Sequence, residues 1–295
     1  MASSGHTQTK SAIKPKPPAG GKTTGAAEPD HTLLWEISGK GLKQPSFLYG
    51  TMHIICEDDI QISEGLKKAI LDAKQVFFEI DMDDMEEMMG VLKYARMNNG
   101  LKISDLVTAE EYIRIEDYFK KNKSPLPLGM MSRFKPYFIT AMISESLMTC
   151  DKKSSVEQLI MTEARAQEKT VSGLETVAFQ SSLFDSIPYE KQAKDLVSYV
   201  DSIDNYKKIT ADMADIYRRQ DINSMDSLLV KSDPGLQQYM GILLYDRNKR
   251  WAEQIPEQAH EMSTLFAVGA GHLGGDKGVI NLLRQQGFTV KPLKN

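Results

Sequence analysis

The 295-residue chain is 41% hydrophobic and carries 36 Lys and Arg against 40 Asp and Glu, a net charge of -4. That length and apolar content suffice for one sizeable core, whereas no dense basic stripe exists to neutralise phosphates, which excludes nucleic acid as a partner. No run is apolar for long enough to span a bilayer, and Cys56 and Cys150, too few for a zinc cluster or a disulfide framework, read as packing thiols with a single bridge as the alternative.

Residues 1–30, rich in Ser, Thr, Lys, Gly, Pro and Ala and without periodicity, are expected to form a disordered tail or linker. No apolar run follows Met1 as a secretory signal requires, so the tail fits either a linker left after a leader was replaced by an initiator methionine or the loose start of a cytosolic protein. The folded domain is expected over 31–295. Leu34-Trp35-Glu36-Ile37 and Ser46-Phe47-Leu48-Tyr49, separated by Gly39, Gly41 and Pro45, predict a hairpin leading into Gly50-Thr51-Met52-His53. Leu66, Ala69, Ile70 and Ala73 then share one helical face, and Val76-Phe77-Phe78 reads as a strand that delivers Glu79, expected beside the strand bearing His53.

From about 84 to 168 the pattern is helical, with Met85, Met88, Met89 and Leu92 at helical spacing. These methionines invite a cofactor or hydrophobic-ligand reading, but core packing or a flexible cap over a site is the expected role. Val171-Ser172-Gly173-Leu174 predicts a strand ending in Glu175. A second helical block covers 188–230, with Leu196, Tyr199, Val200 and Ile203 on one face, and Asp233-Pro234-Gly235 breaks the chain. A helix holding Tyr245, Arg247, Asn248 and Trp251 leads to Pro256. The strand Leu265-Phe266-Ala267-Val268 then meets a second motif, Gly269-Ala270-Gly271-His272, followed by a helix with Val279, Ile280, Leu282 and Leu283, a stop at Gly287, and the strand Phe288-Thr289-Val290. The fold class is therefore α/β (α+β): a central mixed β-sheet built from two strand-GxxH-helix-strand units, with a large helical middle region inserted around 84–168 and 188–230.

Each GxxH histidine falls where a strand ends at its carboxyl edge, the place where open α/β sheets put their ligands. With Glu79, the two histidines make a His2Glu set able to hold a divalent metal while leaving positions open, the chemistry of a hydrolase. Glu175 has the same strand-end placement and is a candidate general base or histidine-orienting group. Arg247 and Asn248 are candidate donors to a carboxylate or a developing oxyanion, although on spacing alone an Arg-Asn pair more often marks a solvated helix face. His6, His31 and His260 receive no role. The absence of a Gly-rich phosphate loop, a GxSxG elbow and a CxxC pair removes support for nucleotide-dependent and serine-hydrolase functions.

The series Leu34-Trp35-Glu36-Ile37, Leu48-Tyr49-Gly50-Thr51-Met52-His53, Phe78-Glu79-Ile80-Asp81, Gly173-Leu174-Glu175-Thr176 with Gln180, Arg247-Asn248 and Val268-Gly269-Ala270-Gly271-His272-Leu273 resembles the TraB/GumN family, grouped with the Tiki metalloproteases and more distantly with erythromycin esterase and the ChaN haem-binding proteins. The resemblance runs from about residue 33 to 293. It implies a divalent-metal-dependent hydrolase acting on peptide or protein substrates outside the cytoplasm. His53, Glu79 and His272 would hold Mn²⁺ or Co²⁺, with Zn²⁺ next in line, and Glu175, Arg247 and Asn248 would serve catalysis. Its more distant members offer two rival functions, a metal-independent His/Glu esterase and a non-enzymatic haem- or peptide-binding protein. Whether the protein forms an oligomer is left open.

Overall fold

A computed structural model describes residues 1, 31–60, 62–124, 126–232 and 237–295. The expected disordered tail over 1–30 and the chain break at Asp233-Pro234-Gly235 lie outside the described residues.

The predicted hairpin forms from β1 (Leu34–Ser38) and β2 (Ser46–Thr51), paired antiparallel with Leu34 opposite Tyr49. A short β3 (Ile55–Cys56) follows His53, then α1 (Glu64–Asp72), whose first turn is capped by the Ser63 side chain, and β4 (Gln75–Ile80). The helical middle comprises α2 (Met85–Tyr94), α3 (Ala109–Lys121) and α4 (Pro136–Ser146). The chain returns through β5 (Lys153–Ser154), α5 (Val156–Ala166) and β6 (Thr170–Glu175). A second helical series follows: α6 (Val177–Asp185), α7 (Tyr189–Asp201), α8 (Ile203–Arg218) and α9 (Ile222–Ser232). The last elements are α10 (Asp246–Glu261), β7 (Thr264–Gly269), α11 (Val279–Gln285) and β8 (Thr289–Pro292).

Six strands form a mixed sheet in the order β6-β4-β7-β2-β1-β8. The four strands β6, β4, β7 and β2 run parallel, and β1 and β8 extend the sheet by antiparallel pairing. All six residues of β2 and the first five of β7 are buried, as expected of central parallel strands covered on both faces. Their core partners include Val156, Ile160 and Ala164 of α5 and Trp251 and Ile255 of α10. A second apolar cluster joins α3, α4 and α7 through Ile115, Phe119, Ile139, Ile143, Leu196 and Tyr199.

Four expectations change. First, β7 separates β4 from β2, so Glu79 emerges beside the strand bearing His272 and not beside the one bearing His53. Second, Cys56 and Cys150 are not packing thiols: they form a disulfide with a Cα–Cα distance of 5.8 Å. That bridge lies next to the β3–β5 pair, in which Ile55 faces Ser154 and Cys56 faces Lys153. Third, the methionine stripe of α2 is not core. Met85, Met89 and Leu92 are 72%, 75% and 66% exposed, because periodicity marks an apolar face without saying whether anything covers it. Fourth, α10 continues through Pro256 to Glu261.

Candidate functional site

Because β2, β4, β6 and β7 are parallel, their carboxyl ends share one edge of the sheet, and each delivers a candidate site residue. Glu79 sits one residue before the end of β4 and Glu175 ends β6, with Ile80 in register with Glu175. Thr51, the second residue of the first GxxH turn, and Gly269, the first residue of the second, face each other across the β2–β7 pair. The glycines permit this crowding. A Cβ on Gly50 would stand 2.8 Å from Leu273 and 3.1 Å from Ala270, so the first GxxH turn packs against the second. A Cβ on Gly269 would stand 3.1 Å from Glu79 Oε1, to which the Gly269 N–H donates at 2.8 Å.

Arg247, in the first turn of α10, binds the centre together. Its Nη2 lies 2.5 Å from Glu79 Oε2 and 2.9 Å from Glu175 Oε2, its Nε donates to Glu175 Oε2 at 2.9 Å, and its Nη1 lies 3.2 Å from His272 Nε2. Gln180, on α6, donates from Nε2 to both carboxylates at 3.2 Å. Trp251, one turn further along α10, places its ring 4.7 Å from the guanidinium and 4.4 Å from the His272 ring. The Arg-Asn pair is thus no solvated face: Arg247 is 9% and Asn248 1% exposed.

Asn248 sets the protonation pattern of His272. Its amide nitrogen donates to the Lys277 carbonyl at 2.9 Å, which leaves Oδ1 to face His272 Nδ1 at 2.5 Å. The ring is then a neutral Nδ1–H tautomer whose Nε2 accepts from Arg247. Burial, with Arg247 and His53 adding to it against the pull of Glu79, pushes His272 down to about 3. Burial also works against charge on Glu79, but His272, Arg247, His53 and the Gly269 N–H together hold its carboxyl far below the usual carboxylate range.

His53 belongs to the opposite side of the same centre. Its side chain is 67% exposed, its Nδ1 lies 2.6 Å from Glu157 Oε1, and no hydrogen bond or ion pair joins it to Glu79 or His272. Desolvation of the ring opposes its charge, yet the Glu157 contact outweighs that and raises its pKa to about 9. Glu157 itself is 5% exposed, and although burial opposes its charge, the His53 contact holds its carboxyl below the ordinary value. A cavity of about 290 Å³ is lined by His53, Glu79, Ser155, Glu157 and Gln180 together with apolar side chains.

Sequence reasoning did not single out Glu157. Its only local signal is an acidic residue in the first turn of a helix capped by Ser155, a placement that the helix dipole favours in any protein. Glu79, Glu175, Arg247, Asn248 and His272 form one contact network, while His53 meets it only across the cavity that it and Glu79 both line.

The donor set fits a divalent cation in type and in tautomer. Metal-binding imidazoles characteristically have their second ring nitrogen held by an oxygen, and both histidines meet that condition at Nδ1, through Glu157 and Asn248. His272 Nε2 and Glu79 Oε1 are 3.8 Å apart, compatible with two ligands each about 2.0–2.2 Å from one ion. Among the described residues, however, no three His, Cys, Asp or Glu side chains are already gathered at ligand spacing. Arg247 holds Glu79 Oε2 and faces His272 Nε2, so an ion would share or displace those contacts.

Fold and site together define an α/β protein with a buried imidazole-carboxylate-guanidinium centre at the carboxyl edge of a mixed sheet. The chain belongs to the TraB/PrgY/gumN family, whose sequence pattern matches residues 33–292. It is also similar to Metalloprotease TIKI1 of Danio rerio, 22% identical over 333 residues that cover 95% of this chain and 66% of that protein. Metalloprotease TIKI2 of Danio rerio is 21% identical over 336 residues (88% of this chain, 61% of that protein), and Metalloprotease TIKI1 of Homo sapiens is 20% identical over 315 (88% and 62%). The chain therefore spans less than two thirds of the length of the curated relatives it matches. No solved structure matches it. Among the described residues, no helix is long and apolar enough to cross a membrane.

Proposed function

We propose that the protein is a divalent-metal-dependent peptidase of the Tiki/TraB type, with His53, Glu79 and His272 as the residues that hold the ion. The observation that carries this reading is the pair of imidazoles whose Nδ1 atoms are both occupied by oxygen acceptors, one from Glu157 and one from Asn248. The names of its relatives support the same class. A bound Mn²⁺, Co²⁺ or Zn²⁺ would supply Lewis-acid polarisation of a peptide carbonyl.

The chain's own groups have separate tasks. Asn248 keeps His272 in the tautomer that presents Nε2, and Glu157 does the corresponding work for His53. Glu175, whose side chain is fully buried against Arg247, holds the guanidinium in place, leaving Arg247 to bind a substrate carboxylate or carbonyl oxygen. The Cys56–Cys150 bridge is compatible with action in an oxidising, extracytoplasmic compartment.

The test is elemental analysis of protein purified without added metal, followed by peptide hydrolysis with Mn²⁺, Co²⁺ or Zn²⁺. The expected result is about one divalent ion per chain, lost in Glu79→Gln with the fold intact, and cleavage abolished by EDTA. Ester cleavage that EDTA leaves undiminished, with no peptide cleavage, would transfer the protein to the metal-independent esterase reading.

A further inference from the structure

The wall of the cavity beside His53 mixes two kinds of side chain, and only the polar ones take part in the site described above. The apolar ones are Phe78, Ile80, Met82 and Met88. Met88 lies on both the cavity wall and the exposed stripe of α2, where Met85, Met89 and Leu92 recur at three- and four-residue spacing. An apolar surface of this kind, continuous with a cleft that contains polar groups, is the mark of a ligand site.

The chemistry of the lining narrows the occupant. Among the described residues the cavity wall contains no Lys or Arg, and the adjoining entry to α2 is acidic, with Asp81, Asp83, Asp84 and Glu86. The one cation on the wall, the His53 ring, is already paired with Glu157, and Glu79 lines the same cavity, so phosphate-bearing and carboxylate-bearing ligands find no free counter-charge there. The polar part of the lining offers both donors and acceptors, from the His53 ring, the Ser155 hydroxyl and the Gln180 amide, which suits the alternating N–H and C=O of a peptide backbone. About 290 Å³ lies just under the roughly 300–1,000 Å³ of small-molecule sites and suits one large side chain with its backbone. Unbranched methionines adapt to side chains of differing shape.

We infer that this cavity is a subsite for one large apolar side chain, of phenylalanine, leucine or methionine class, in an uncharged stretch of peptide, with Met82 and Met88 as its walls and the exposed α2 stripe extending the contact. The inference rests on the peptidase reading for its biological sense, but binding tests it without turnover.

N-acetylated, amidated Ala-Phe-Ala and Ala-Asp-Ala peptides are titrated into the full chain in EDTA and followed by NMR. The Phe peptide should bind about tenfold more tightly or better, the effect of burying one aromatic side chain. Met88→Asp should weaken it about tenfold, Met88→Leu should restore it, and Met130→Asp, at an exposed methionine outside this cavity, should change nothing. If Met88→Asp does not fold, Met85→Asp on the exposed stripe replaces it, with a smaller loss expected. Equal binding of the two peptides, or Phe-peptide binding that ignores the α2 variants, overturns the inference. So does a dimer that Met85→Asp disperses, since a second copy would then cover this face. Selective Phe-peptide binding without hydrolysis on adding metal would uphold the subsite and refute the peptidase reading.

Discussion

Arg247→Ala is the perturbation to which the centre should be most sensitive. One nitrogen of this side chain lies within 2.9 Å of both Glu79 and Glu175, and the two residues are 8% and 7% exposed. Removing the guanidinium leaves two carboxylates facing each other away from water, a situation that costs about 3–5 kcal/mol when one partner of a buried ion pair is deleted. Against a typical domain stability of about 5–15 kcal/mol, that loss is a large fraction. The pH dependence follows from Glu79. In the native protein its carboxyl is held below the ordinary 4.5, so its stabilising contribution is present above that value and is lost as pH falls through the lower, native one. Without Arg247 the native carboxyl should titrate above 4.5, and its penalty should vanish on acidification. The wild-type contribution is still present at pH 4.5, so it is protonation of the variant's native carboxyl that narrows the gap between wild type and variant as pH falls from 7 to 4.5. Urea unfolding of metal-free protein in EDTA, followed by tryptophan fluorescence at these two pH values, measures it. A deficit below about 1 kcal/mol at pH 7, or one equal at both pH values, would refute the reasoning.

Three other outcomes are expected. In metal-free protein, His53 should titrate above 6.5 by NMR and fall towards 6.5 in Glu157→Gln; because the folded value is raised to about 9, the pair's stabilisation is complete below 6.5 and lost as pH rises through about 9. Cys56→Ser should lower stability by about 4–5 kcal/mol on the loop-entropy account, since the bridge closes a loop with a sequence separation of 94, and guanidinium unfolding reports it. Gly173→Ala should cost about 2–3 kcal/mol in the same assay, because its Cβ would stand 2.4 Å from the Asp81 nitrogen and 2.8 Å from the Ile80 carbonyl carbon, both rigid backbone.

The site was legible in the sequence where residue type and strand-end position coincided. His272, Glu79 and Glu175 each follow or close an apolar run whose pattern marks a strand, and the resemblance supplied Arg247 and Asn248, whose local spacing suggested only a wet helix face. What one sequence hides is lateral order. No pattern in Leu265–Val268 tells that this strand inserts between β2 and β4, so Glu79 was assigned the wrong neighbour. The partnership of Glu157 with His53 was hidden for a related reason: it depends on β5 returning to β3, a two-residue pairing far too short to leave a periodic signal. The disulfide depends on that same return, and two cysteines alone do not announce it. Methionine periodicity correctly located α2 but was silent on what lies opposite, and there it misled.

The insertion of β7 between β2 and β4 also governs how the protein is born. Those two strands have no ladder with each other, and each finds its inner partner only when residues 264–269 arrive. Throughout synthesis of the preceding chain, the hairpin and the β4–β6 pair must therefore wait with open, strongly apolar edges, the kind of surface that recruits other chains. A nascent chain interrupted before Thr264 would retain most of its sequence and none of its central sheet continuity. Such non-local pairing is intrinsically slow to form, so those edges stay open until the last strands have been made.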